Sequence, residues 1–360
     1  MPVYNFCAGP AMLPPAVLET VRAELTDWQG LGTSVMEVSH RGPAFQACAA
    51  QAEQDLRDLL QIPTNYRVLF LHGGATQQFA ALPLNLAAAG ETVDYVDTGI
   101  WSGKAIAEAR RHGTVQVVAS SADSDYCDVP DVDAIRATPG ARYLHYTPNE
   151  TIGGVEFHAT PRVDVPLVAD LSSSILSRPF DVAAHGLIYA GAQKNIGPAG
   201  LCVVIVREDL LGRVRAGTPP LMDYTIEARE GSMLNTPPTF AWYLAGLVFR
   251  WLKAEGGVAA MAERNAAKAA CLYNAIDGSG GYYRNRVAVR ARSRMNVPFL
   301  LHDAALDRVF FSEARAAGLV NLEGHRLAGG GMRASLYNAM PLEGVHALVA
   351  FMADFQRRYG

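Results

Sequence analysis

Three features of the 360-residue sequence predict an α/β architecture: a large, mostly parallel sheet covered by helices, plus a smaller C-terminal α/β part. From about residue 66, short apolar runs rich in β-branched residues alternate with amphipathic stretches, the pattern of strands joined by crossover helices. After about residue 236 the chain turns helical. Beyond that, a second and shorter set of strands ends in a closing helix.

The first run, YRVLFL, leads through HGGA into TQQFAALPLNLAAAG, a helix that Pro83 should kink or shorten because proline lacks a backbone donor. TVDYVDTG precedes the helix WSGKAIAEARRHG, and VQVVAS, YLHYTP, VPLVADLS, GLIYAG and LCVVIV follow as further strands. Short continuous apolar runs of this kind suit strands buried on both faces. FAWYLAGLVFRWLKAEGG and VAAMAERNAAKAACLYNAI read as helices. NVPFLL and GMRASLYNA read as strands of the second region, and PLEGVHALVAFMADFQRRYG as a helix with Pro341 at its first turn. The expected division is a large domain over residues 16–260 and a small one formed by residues 1–15 and 261–360. No repeat, low-complexity tract or Ser/Gly linker interrupts the chain.

Half of the residues are hydrophobic, ample for a sizeable core. The net charge of −4 is small and no block of like charge occurs, so neither nucleic acid nor a membrane surface is expected as partner. The N-terminus, MPVYNFCAGPAMLPP, has no basic region leading into an apolar core, so no targeting segment and a cytoplasmic location are expected. Cys7, Cys48, Cys127, Cys202 and Cys271 are scattered without a CxxC pair, which suits reduced thiols, and no histidine spacing suggests a metal site.

The chemistry centres on Lys194 in YAGAQKNIGPAG, on a connection between two apolar runs. An arbitrary lysine is most often an exposed loop residue. A desolvated one has a lowered pKa, which makes its amine nucleophilic near neutral pH. Four other features favour the second reading. HGGATQQ follows a strand and opens a helix, where backbone amides and the Thr76 hydroxyl form a phosphate cradle, although a bare glycine turn is also common. Asp170 ends the apolar run VPLVAD and could hold a heterocyclic nitrogen protonated or simply cap the following turn. Trp101 could lie flat on a planar cofactor or pack in the core. His40 with Arg41, His325 with Arg326, and Arg333 could bind a substrate with more than one anionic group, or be solvated surface residues. An amine, a phosphate cradle, a strand-end carboxylate and a stacking indole are together what pyridoxal 5'-phosphate (PLP) requires.

The stretches NFCAGPAMLPPAVL, GTSVMEVSHRGPAF, YTPNETIGGVEF, VADLSSSILSRPFDV, YAGAQKNIGPAG, SMLNTPPTFAWYL and GMRASLYNAM closely resemble the phosphoserine aminotransferases, a family of class V, fold-type I PLP enzymes. The resemblance runs from Asn5 to the C-terminal helix. It implies that Lys194 carries PLP covalently, that Asp170 pairs with the pyridine nitrogen, that Trp101 stacks on the ring and that Thr151 contacts its phenolic oxygen. It implies further that Ala75, Thr76 and Gln193 hold the phosphate, with Asn235 and Thr236 reaching over from the second subunit of a homodimer that shares its active sites. His40, Arg41, His325 and Arg326 would grip the substrate's phosphate or distal carboxylate, the last two donated across the dimer, and Arg333 would take the α-carboxylate. The chain departs from the family at Thr76, where many bacterial members carry arginine, at Cys7 and Ala8, and at the three glycines 329–331, one more than in several relatives.

The implied reaction is a ping-pong transamination in which L-glutamate leaves as 2-oxoglutarate and 3-phosphohydroxypyruvate becomes O-phospho-L-serine, as in serine biosynthesis. The longer 4-phosphohydroxy-L-threonine of pyridoxine biosynthesis should fit the same cluster of cations. Competing readings are alanine-glyoxylate or serine-type transamination, a cysteine desulfurase, and a phosphate-binding protein without chemistry. No cysteine lies on an obvious mobile loop for the desulfurase, and a binding protein would not need both Lys194 and Asp170.

Overall fold

All seven apolar runs between residues 66 and 207 become strands of one sheet in the computed structural model, which describes residues 2–325 and 330–360. From one edge the order is Tyr66–Gly73, Gly200–Arg207, Leu187–Gly191, Leu167–Asp170, Leu144–Tyr146, Thr92–Asp97 and Thr114–Ser120. Gly200–Arg207 is antiparallel to both of its neighbours, and the remaining pairings are parallel, so six strands run one way. The sheet is therefore mostly parallel, as the alternation of strands and helices predicts.

Side chains alternate across this sheet with a period of two. Val68, Phe70, Ile188, Ala190, Val203 and Ile205 face one way, toward the helices Pro43–Leu60 and Thr239–Ala254. Leu69, Leu71, Tyr95, Val168, Leu187 and Val204 face the other, toward Ala75–Leu86 and Ile100–Ala109. Both faces are dry, which explains why the strands read as continuous apolar runs. Thr114–Ser120, at the edge opposite Tyr66–Gly73, is the exception: none of its residues is fully buried.

A third cluster gathers Phe6 with residues between Ala269 and Phe355, around a sheet of Tyr283–Arg284, Asn296–Leu301 and Met332–Ser335. The short N-terminal strand Tyr4–Asn5 pairs in parallel with Leu319–Val320, which places the start of the chain against its last quarter. The helix Gly257–Asp277 joins the clusters, with Met261 in the first and Leu272 and Ile276 in the third. The closing helix spans Leu342–Tyr359, with Pro341 as its N-cap.

Pro83 does not break its helix. Ala75–Leu86 continues three residues past it, and the Ala87 N–H bonds to the Pro83 carbonyl at 3.3 Å. A proline loses only one donor, and here the helix ends within the next turn. Two helices ahead of the first strand, Pro15–Glu24 and Pro43–Leu60, also went unread in the sequence.

Lys268 lies in the interior of Gly257–Asp277, and its Nζ donates to the carbonyls of Leu336 at 3.0 Å, Tyr337 at 2.8 Å and Met340 at 3.0 Å. Burial pushes its amine down to about 7, while three acceptors for three N–H groups favour the charged form. Lys268→Met should strip a donor from all three carbonyls, leaving Tyr337's only the Met340 N–H, and cost about 3 kcal/mol of stability, read as a lower denaturant midpoint at constant m-value.

Candidate active site

Lys194 sits in the turn between Leu187–Gly191 and Gly200–Arg207, antiparallel strands paired from Leu187 with Val206 to Gly191 with Cys202. The turn is closed by N–H groups of Lys194, Ile196 and Gly197, which all reach the Ala192 carbonyl at 2.7–3.2 Å. From there Nζ donates to the Thr151 hydroxyl at 2.7 Å and lies 5.6 Å from the centre of the Trp101 ring. Loss of water pushes the amine down to about 8, against the opposing pull of Asp170 and Glu150, and Arg333 pushes in the same direction as burial.

Asp170 is the last residue of Leu167–Asp170, and its Oδ1 accepts the Ser172 N–H at 2.9 Å. Burial raises the pKa of its carboxyl, and Lys194, Ser172 and Tyr189 partly offset that. The run of serines after Asp170 thus has a local function: the Ser172 hydroxyl also accepts the Gly191 N–H at 3.0 Å, tying the aspartate strand to the lysine strand.

Trp101 is held by a residue that the sequence reading passed over. Glu150 is fully buried, and its two oxygens accept the N–H groups of Ser102 at 2.8 Å and Trp101 at 3.0 Å, capping the helix Ile100–Ala109. Burial raises its pKa and these amides work against the rise. Gly99 has no alternative, because a Cβ there would lie 2.8 Å from the Glu150 carboxyl carbon. The motif NET contained the clue, a carboxylate beside a threonine in an apolar stretch. The indole Nε1 of Trp101 is buried and has no partner among the described residues.

The predicted cradle is the N-terminus of Ala75–Leu86, whose first amides have no carbonyl within the helix. A Cβ on Gly191 would lie 2.9 Å from Gln193 Oε1 and 3.3 Å from the Ala75 nitrogen, so the glutamine, the helix terminus and the lysine strand converge there. Thr76 is exposed at the same terminus. The N-terminal arm forms a wall of the site: Ala11 N–H bonds to the Gln193 carbonyl at 2.8 Å, and Gly9 sits where a Cβ would be 3.5 Å from Lys194 Cγ. Tyr337, also unread in the sequence, donates to the Ala8 carbonyl at 2.9 Å and accepts from Asn296 at 3.2 Å.

Arg333 lies on Met332–Ser335, opposite Pro298. Burial pushes its guanidinium below its ordinary pKa, and its Nε has no partner among the described residues. Arg333 and His325 line a cavity of about 650 Å³ whose walls include Gly99, Ile100, Ile152 and Gly153, the neighbours of Trp101 and Thr151. The structure thus brings together Lys194, Asp170, Trp101, Thr151 and Arg333, with Ala75 and Gln193 at one end. His40 and Arg41 lie on the approach to Pro43–Leu60, where the His40 carbonyl accepts from Gln46 at 2.7 Å and Arg41 is exposed. Asn235 and Thr236 are exposed, and the Thr236 carbonyl meets His72 Nε2 of the same chain at 2.9 Å. Arg326 lies outside the described residues. Among the described residues no group of three or more His, Cys, Asp or Glu could hold a metal ion, and no helix is long and apolar enough to cross a membrane.

Such a site can present a neutral amine to a carbonyl compound. With its pKa near 8, the uncharged fraction of Lys194 is about one tenth at pH 7 and about nine tenths at pH 9. The rate at which the protein captures an aldehyde at Lys194 should rise about tenfold across that interval and then level off; stopped-flow absorbance reads it, and a rise continuing to pH 10 would mean that the amine titrates higher.

The class-V aminotransferase family model matches residues 3–348. The chain is 62% identical to the phosphoserine aminotransferase of Azotobacter vinelandii, with 99% of each covered. Among solved structures, the phosphoserine aminotransferase from Bacillus circulans subsp. alkalophilus superposes with a TM-score of 0.97 at 47% identity, with 99% of each chain covered. The PLP-bound phosphoserine aminotransferase from Trichomonas vaginalis does so with 0.93 at 43%, covering 98% of this chain and 99% of that one. An alanine–glyoxylate aminotransferase from Nostoc sp., at 18% identity, 98% and 95% coverage and a TM-score of 0.75, shares the fold alone.

Proposed function

The chain belongs to the class-V aminotransferases and, within them, to the phosphoserine aminotransferases, and from that premise we infer how its residues divide the work. The reaction is PLP-dependent amino transfer between L-glutamate and 3-phosphohydroxypyruvate, giving 2-oxoglutarate and the O-phospho-L-serine that leads to L-serine. The fold is that of fold-type I PLP enzymes.

The residues fit the cofactor. The observation that carries the assignment is the lowered amine of Lys194, hydrogen-bonded to Thr151, beside the Trp101 face and within the field of a buried Asp170. Trp101 Nε1 and Arg333 Nε, both buried and unpartnered among the described residues, and the amides converging near Gly191 are what a polar, planar, anionic guest would satisfy. When bound, PLP supplies a ring that withdraws electrons from the substrate's α-carbon. Asp170 keeps the ring nitrogen protonated by presenting a negative charge. Trp101 orients the ring, Thr151 holds its phenolic oxygen, and Ala75, Thr76 and Gln193 hold its phosphate. Lys194 Nζ takes the substrate's α-proton as a base and returns it as an acid. Arg333 binds the α-carboxylate bidentately.

His40, Arg41, His325 and Arg326 bind the distal phosphate or γ-carboxylate. The active unit proposed is a homodimer, in which exposed Asn235 and Thr236 complete the phosphate site of a second copy. Guanidinium groups donate to phosphate and carboxylate oxygens alike, which leaves room for 4-phosphohydroxy-L-threonine as a second substrate, in pyridoxine biosynthesis. A cytoplasmic location accords with the unpaired cysteines.

A half-reaction screen tests the assignment. The PLP-loaded protein, yellow as prepared, should lose its visible band on addition of phosphoserine or glutamate and keep it with alanine or cysteine. Equal loss with alanine would overturn the substrate assignment; a protein that takes up no PLP would overturn the cofactor.

A further inference from the structure

Asp170 does not act on the ring nitrogen alone. Directly opposite it in register stands Tyr189, whose hydroxyl holds the carboxyl's proton affinity down. The same hydroxyl lies 2.9 Å from Nε2 of His145, a fully buried side chain two strands from Tyr189. Tyr95 stacks on the imidazole at 4.8 Å and 29° and fixes its plane, while its own hydroxyl is engaged by Tyr143 at 2.9 Å.

Burial pushes the His145 imidazole down to about 3, so the ring is neutral and has one proton to place. Nδ1 is buried and has no partner among the described residues. A proton on Nδ1 would strand a buried N–H donor, which costs more than leaving a lone pair unmatched. The proton therefore sits on Nε2 and is donated to the Tyr189 oxygen. That leaves the tyrosine's own proton free to turn to the other acceptor in reach, the Asp170 carboxylate.

Resting on the cofactor reading above, we propose that His145 and Tyr189 are positioning residues that act in series through Asp170, keeping its carboxylate charged and aimed at the cofactor's ring nitrogen. The other groups acting on Asp170 are Lys194, the Ser172 amide and hydroxyl, Glu150 and Cys202. None of them depends on His145. Removing the relay raises the carboxyl's proton affinity and weakens its hold on the ring proton. A ring without that proton withdraws less, and the nitrogen of Lys194 joined to it becomes more basic.

The test uses PLP-loaded wild type, Tyr189→Phe, His145→Leu, their double variant and His145→Gln, whose amide can place a donor where Nε2 stands. The visible absorbance of the bound cofactor is titrated with pH, and PLP affinity is measured by titrating the apoproteins. Tyr189→Phe and His145→Leu should each raise the absorbance midpoint by about one pH unit and weaken PLP binding. The double variant should move no further than Tyr189→Phe, and His145→Gln should stay at the wild-type midpoint. An unmoved midpoint in Tyr189→Phe overturns the proposal, even if His145→Leu does not fold, and so does additivity in the double variant. A wild type without a visible band overturns the cofactor reading itself; a wild type with one and variants that match it overturn the relay alone.

Discussion

Replacing Lys194 by alanine should lower kcat by about 10⁴-fold, the upper range for loss of a positioned acid–base group. The other lysine over the Trp101 ring, Lys104, is exposed and 4.6 Å from its centre. Lys268, the other lysine of the interior, is committed to three carbonyls. The variant should still take up PLP, because the cradle at Ala75, the Trp101 face and Asp170 remain. Borohydride should fix the cofactor irreversibly on the wild type and leave it dialysable from the variant. Mass spectrometry of the reduced proteins reads the covalent link, and single-turnover absorbance reads the proton transfer. Transamination retained at more than about a hundredth of the wild-type rate would assign the proton to another group.

Asp170→Asn should cost about 10²–10³ in kcat, the scale for removing one preorganised electrostatic group. The amide keeps the size of the side chain and an oxygen to accept the Ser172 N–H, so the fold should survive with little change in thermal midpoint. It cannot carry the charge that pairs with a protonated ring nitrogen. KM for glutamate should change far less than kcat, because in the proposed assignment Arg333 and not Asp170 meets the substrate. Equal changes in both would mean that the aspartate serves binding. The carboxylate is costly to bury, and the fold tolerates it with Ser172, Tyr189 and Lys194 gathered around it.

The fold was legible where burial on both faces writes itself into sequence. VPLVAD and GLIYAG are apolar without alternation because helices cover both sides of the strands they form. The helix Pro43–Leu60 carried signals that went unread: Gly42 before Pro43, and Ala49, Ala52, Leu56, Leu59 and Leu60 recurring on one face. Lys194 and Asp170 could be found because strand ends and glycine-rich turns advertise themselves. Tyr189 and His145 could not, since each matters only through partners 19 to 44 residues away that strand pairing brings alongside. Tyr337 reaches the site from the far end of the chain, beyond what local pattern conveys.

The arm that walls the site is made long before most of its partners. Its strand Tyr4–Asn5 needs Leu319–Val320, and its Ala8 carbonyl needs Tyr337. At about 5–20 residues per second, synthesis separates arm from partners by about 15 to 60 seconds. During that interval the lysine turn can form its hairpin and offer the arm the Gln193 carbonyl, but the arm's partners at Leu319–Val320 and Tyr337 do not yet exist. A nascent chain halted before residue 319 should therefore expose Phe6 and the arm to proteolysis, and the site should close only once residues 319–337 have been made.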